Sequence, residues 1–201
     1  MGFRIITINR EFESGGNEIA QAVAARLDIP YYDRFLIVAA AGETGIDQER
    51  IAHIDEKLDS RFDYSQAEAA YYYTNSENPL PTGARVADIQ FQLIKALAEQ
   101  EPCLIVGRCA NHVLRERDDV LDVFIHAGRD HRVKRTMELL SLPERKAVRV
   151  LKRTDAARKA YYKNYTGCDW NDPNLYHLVL NSDRMGFDAC VDAICAIYAR
   201  G

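Results

Sequence analysis

Two adjacent glycines, Gly15 and Gly16, stand in the stretch REFESGGN (Arg10 to Asn17), between an apolar run and an amphipathic one. Glycine lets a backbone come close to a ligand. A helix that begins at such a turn points unbonded N–H groups and the positive end of its dipole at whatever lies above it. The chemistry on offer is anion binding, phosphate above all, with Ser14 as a hydroxyl donor or helix cap and Arg10 as a nearby cation. Taken alone, the doublet fits a plain tight turn equally well. A second feature leans toward phosphate. Between Arg129 and Lys163 there are twelve Lys and Arg against four Asp and Glu, which leaves 14 of the 26 basic and 26 of the 30 acidic residues elsewhere. Such asymmetry focuses positive potential on one region of a chain whose overall charge is −4. A solvated, basic pair of helices is the alternative.

Other chemistries find no support. The five cysteines form no C-x-x-C pair and the five histidines no H-E-x-x-H, so neither a metal site nor a disulfide framework is expected, and the usage suits a reducing compartment. The opening MGFRIITINREF lacks the parts of a signal peptide, and no stretch is apolar enough to span a bilayer. A cytoplasmic protein without a membrane partner is expected. Nucleic-acid binding has only the basic region behind it and no recognisable module.

The elements that must position these residues alternate in type. Phe3 to Asn9 is a β-branched run, followed by the turn, then by Ile19, Val23 and Leu27 at helical spacing, then by a short strand at Ile29 to Asp33. Strand runs resume at Pro102 to Gly107, Val120 to Ala127 and Leu175 to Ser182, with a short helix around Asn111 to Arg117 between the first two. Helical spacing marks Ile51 to Phe62, Val86 to Leu97, the basic region, and a closing helix with Cys190 and Ile194 on its apolar side. Tyr71 to Gly83 reads as a loop. The pattern predicts one α/β domain over residues 1–201, with a parallel sheet of about five strands covered on both faces. Residues from about 35 to 100 form its helical insertion. Ligands of such sheets sit at the carboxyl ends of the strands, where the glycine turn lies.

The turn is not a G-x-x-x-x-G-K-[ST] loop, since only Gly15 falls in register. Three separated stretches carry a different resemblance: INREFESGGNEIAQAVAARLDIPYYD, VGRCANHVLRERDDVLDVFIHAGRDHRVKR and DAARKAYYKNYTGCDW. Together they resemble the cytidylate kinase-like family, a divergent branch of the P-loop nucleoside monophosphate kinases. The resemblance covers nearly the whole chain and is weakest between about Phe35 and Gln100.

What the resemblance implies is a three-layer P-loop kinase fold that transfers phosphate from ATP, with Mg²⁺ held mainly by phosphates and water, to a nucleoside monophosphate, CMP or dCMP by default. It implies small-molecule nucleotides as partners and leaves the oligomeric state open. Arg10, Ser14, Gly15, Gly16 and Asn17 would hold the donor's phosphates. Tyr32, Asp33, Arg108 and Arg132 would face the acceptor, with Arg135 beside Arg132. Arg153, Asp155 and Arg158 would act from a basic lid at about 129–168. Phosphoryl transfer needs positioned cations more than covalent chemistry, which suits so many arginines. Against that pattern, Glu13 stands where relatives carry Gly, Asn17 replaces a basic residue, and Cys109 replaces an Asp. These departures leave a catalytically degenerate nucleotide-binding protein as the second reading, and a kinase for another small hydroxylated acceptor as the third.

Overall fold

The computed structural model of the chain describes residues 2–33 and 84–200. The helical spacing at Ile51 to Phe62 and the loop at Tyr71 to Gly83 lie outside the described residues. Strand β1 (Ile5–Arg10) is buried at every position, because neighbours bond to both its edges and helices cover both its faces. The sheet order is β2-β3-β1-β4-β5, with β2 at Tyr31–Tyr32, β3 at Cys103–Val106, β4 at Val120–His126 and β5 at Leu178–Asn181. Every pairing is parallel, so all five carboxyl ends open on one side.

Alternation along β1 sorts its side chains between two layers. Ile6 and Ile8 face the opening helix α1 (Gly16–Leu27) and the closing helix (Phe187–Tyr198), packing with Ile19, Val23, Val191 and Ile194. Ile5 faces the other way, toward Ile94 and Ala98 of the helix Ala84–Gln100. Each fully buried Ile contributes about 1.5–3 kcal/mol of burial energy, so β1 supports both layers at once. The three-layer α/β architecture is the one expected, five strands included.

Several boundaries differ from the sequence reading, β1 running Ile5–Arg10 in place of Phe3 to Asn9 and β2 only Tyr31–Tyr32 in place of Ile29 to Asp33. The last strand is shorter than Leu175 to Ser182, because Asp172 accepts a hydrogen bond from the Asn174 amide (3.0 Å) and starts a 3-10 turn over Pro173–Leu175. The helix after β3 is only Ala110–Val113. The basic region forms the helix Arg129–Leu140 and the long helix Glu144–Thr166, joined through Val133, Ala147, Val150 and Leu151 around Phe12. Phe12 belongs to the glycine-rich turn, so the basic helices are built onto that turn from the start.

Candidate functional site

The chain leaves β1 at Arg10, and the Glu11 amide still bonds to the Ile125 carbonyl of β4 (3.0 Å). The turn then closes on itself. Both the amide and the hydroxyl of Ser14 donate to the Glu11 carbonyl, at 3.3 and 2.9 Å. The Ser14 carbonyl accepts from the Ser182 hydroxyl beyond β5 (2.6 Å). Ser14 is 1 % exposed, so its side chain builds the turn from within and does not cap the helix or reach outward. Gly15 adopts φ 76°, a left-handed conformation that glycine takes without strain. No side chain caps α1, and its first bond runs from the Ile19 amide to the Gly15 carbonyl (2.9 Å). The helix itself supplies no acceptor for the amides ahead of Ile19, which is the arrangement that attracts anions.

Two arginines brace this turn. Arg10 is 8 % exposed, and its Nε donates to Asn17 Oδ1 (2.8 Å). A Cβ on Gly16 would stand 2.5 Å from Arg10 Cβ, and one on Gly107 would stand 2.8 Å from Arg10 Nη1. The two missing side chains therefore make room for the Arg10 side chain between α1 and the end of β3. Arg158, from the long helix, donates to the Arg10 carbonyl (2.9 Å) and lies over the Phe12 ring, 5.7 Å from its centroid. Arg10, Phe12, Glu13, Gly15, Gly16, Asn17 and Arg158 line one cleft.

The remaining basic-region residues divide sharply. Arg132 is 7 % exposed and fixed among Asp155 (2.6 Å), Glu11 (3.3 Å) and the Phe12 carbonyl (3.2 Å). Asp155 also accepts from the Phe12 amide (2.8 Å). This pair clamps the turn's backbone, and that is where the structure places a residue expected at the acceptor, Arg132, and one expected in the lid, Asp155. Arg135 pairs with Glu13 (3.4 Å) and with Glu18. Burial, more than the neighbouring charges, pushes the Glu13 carboxyl up to about 7, although Arg135 opposes the shift. Arg153 is exposed on the long helix and joins none of this.

A second turn stands at the end of β3. Gly107, Arg108 and Cys109 have φ of 75°, 52° and 57°, an unusual left-handed run for two non-glycine residues. Arg108 lies over the Tyr161 ring, 5.1 Å from its centroid, and the Tyr161 hydroxyl donates to Gln90 (3.4 Å). Cys109 is 1 % exposed among Phe124, Tyr162 and Trp170, and burial pushes its thiol up to about 12. It thus replaces an expected carboxylate with a packed apolar group. Asp33 follows β2 at the cleft end of the sheet and is 4 % exposed. Tyr32 is half-buried on β2, and burial, with the Glu101 carboxylate adding to it, pushes its phenol up.

Sequence reasoning passed over Glu11, Phe12, Tyr161 and Ser182. Glu11 and Phe12 sit inside the quoted motif, and Tyr161 in the YY of the long helix, so spacing was a usable signal for those three. Ser182 had none, because its contact depends on where β5 ends. A buried chain of amides and phenols was equally silent: Asn9 donates to Asn111 (3.1 Å) and Asn111 to Tyr162 (2.9 Å), directly beneath the second turn.

Among the described residues, no group of three or more His, Cys, Asp or Glu could hold a metal ion, and no helix is long and apolar enough to cross a membrane. No curated protein matches the chain. A crystal structure of an uncharacterized protein from Eubacterium ventriosum is 26% identical, with a TM-score of 0.73 over 98% of this chain and 99% of that one. A shikimate kinase from Bacteroides thetaiotaomicron shares the fold at 13% identity and a TM-score of 0.52, covering 97% of this chain and 98% of its own. A shikimate kinase from Acinetobacter baumannii does so at 10% identity and a TM-score of 0.51, covering 98% and 94%. The family model of the cytidylate kinase-like family matches residues 5–184, so a kinase fold built around this turn accompanies membership: the chain belongs to the cytidylate kinase-like family.

Proposed function

We propose that the protein transfers the γ-phosphoryl group of ATP to a nucleoside monophosphate, with CMP or dCMP the first acceptors to try. The observation that carries this reading is the convergence of Arg10 and Arg158 on the uncapped start of α1, at the carboxyl end of a parallel sheet. Backbone amides of the turn would take the donor's phosphates, and the two guanidinium groups would offset charge that develops on the transferring group. Arg108, fixed over Tyr161 on the neighbouring strand end, would orient the acceptor's phosphate. Asp33 would contact the acceptor's base or ribose. Arg132 and Asp155 serve as positioning residues, because they hold the Phe12 backbone on which the turn depends.

Magnesium would be held mainly by a nucleotide's oxygens and water, which meet its coordination needs. It would neutralise phosphate charge. The deciding experiment is a coupled assay with ATP, magnesium and a panel of nucleoside monophosphates. Turnover on one or more supports the kinase reading. Measurable nucleotide binding with no turnover on any monophosphate, or on any small hydroxylated acceptor, moves the assignment to a degenerate nucleotide-binding protein. One observation favours that second reading: Glu13 and Glu18 line the phosphate cleft, and between them they occupy Arg135.

A further inference from the structure

Glu13 is an odd residue to find inside a turn that attracts anions. It adopts φ 56°, a conformation that costs a non-glycine residue energy, and its side chain is 4 % exposed. It lines the cleft beside Gly15, Gly16, Asn17 and Arg158. The charged groups around it come from four directions. Arg135 approaches from the helix Arg129–Leu140, Glu18 from the first turn of α1, and Arg158 from the long helix. Within the turn lie Arg10 and Glu11, and behind it Arg132 and Asp155 pair with each other.

Arg132 answers Glu11 and Asp155, and Arg135 answers Glu13 and Glu18, so each of these two guanidinium groups faces two carboxylates. Two carboxylate charges in and around the turn therefore exceed what this pair of arginines offsets. Arg10 and Arg158 offset that excess only while no other anion competes for them. A phosphate drawn to the same two arginines would meet the Glu13 carboxylate across a partly buried cleft, where like charges are poorly screened.

We propose that Glu13 is a proton-linked gate in the phosphate turn: an anion enters as the Glu13 carboxylate takes up a proton, and leaves as the proton is released. This rests on the turn being the phosphate site. The carboxyl is already lifted to about 7 by burial before any ligand arrives, so the required proton is available near neutral pH. An arriving anion raises it further, which is the reciprocal of the same linkage.

The consequence is a pH-dependent affinity. If only the protonated form accepts the anion, apparent affinity scales with that fraction, and falls about tenfold per pH unit above about 7. Between pH 7 and 8.5 the loss is about fifteenfold. The test is titration calorimetry with ATP in EDTA from pH 6 to 8.5, in two buffers of different ionisation enthalpy, on the native protein and on Glu13→Gln. ATP's own titration affects both proteins alike, so the ratio of their affinities reports the gate. The expected result is a ratio that falls with pH as above, with close to one proton taken up per nucleotide at pH 8 by the native protein and none by the variant. Should Glu13→Gln fail to fold, Glu13→Gly suits the left-handed backbone and answers the same question. Equal pH dependence and equal proton uptake in native and variant proteins overturn the gate and leave the phosphate site standing. No ATP binding by the native protein at any pH overturns the site, and the gate with it.

Discussion

Two turns at the carboxyl ends of adjacent strands meet the same problem in opposite ways. The turn after β1 and the turn after β3 both place non-glycine residues in the left-handed region: Glu13 in the first, Arg108 and Cys109 in the second. The second turn holds its strained residues by apolar means, burying Cys109 among aromatic rings and laying Arg108 over Tyr161. The first pairs Glu13 with Arg135, yet burial disfavours the charge that pairing needs, and it keeps the strained residue inside the cleft. A left-handed residue costs of order 1–3 kcal/mol and persists only where its surroundings over-determine it. Packing meets that cost independently of pH. A buried carboxyl meets it conditionally, best when protonated.

Cys109→Asp restores the carboxylate that the sequence resemblance led one to expect, yet here the pocket is apolar. It should cost about 3–5 kcal/mol as an unpaired buried charge, visible as a lower denaturant midpoint. A variant as stable as the native protein would show that the aromatic cluster yields readily. Arg158→Ala and Arg108→Ala should each lower turnover on the best monophosphate by about 10²–10³, equivalent to about 2–4 kcal/mol of transition-state stabilisation. Arg108→Lys should recover only part of this, because ammonium keeps the charge and loses the planar fork. Unchanged turnover in Arg108→Ala removes that residue from the site.

The third test separates the two turns by pH. With Glu13 raised from 4.5 to about 7 in the folded protein, the native state binds more protons than the unfolded chain across that window. Its contribution is therefore fully present below about pH 4.5 and lost as pH rises through about 7, a decline of about 3 kcal/mol from this group. Urea denaturation of Glu13→Gln at pH 5 and pH 8 should lack that decline. Smallest of all, Gly15→Ala should cost about 1 kcal/mol, since φ 76° penalises a Cβ that has nothing within 4 Å to strike. A larger loss in a thermal melt would reveal a constraint beyond backbone strain.

The sheet was legible because its central strands β1, β3 and β4 are largely buried and read as near-continuous apolar runs, and helical spacing marked the covering layers. The glycine turn was legible only with the family resemblance beside it, since two adjacent glycines fit a plain tight turn equally well. The arginines were harder. Arg132 and Arg158 look alike in sequence, and only the fold reveals that Arg132 meets Glu11 and Asp155 while Arg158 meets a backbone carbonyl. Tyr32 is hard to read from sequence, since its strand pairing with Ile105 fixes the backbone and not which way the hydroxyl reaches. The change from Asp to Cys at position 109 reads in sequence as a lost carboxylate. In the structure it is a gained packing contact.

The closure of the first turn has a consequence in time. Residues 10 to 16 leave the ribosome early, but the groups that finish their turn come much later: Asp155 and Arg158 from about 145 positions on, and Ser182 beyond β5, 168 positions from Ser14. Strand β1 likewise waits for partners at Cys103 and Val120. Long waits of this kind raise contact order and slow folding, and they leave apolar strands exposed meanwhile. The nascent chain therefore carries its glycine turn as an unfinished loop until β5 and Ser182 beyond it have been made.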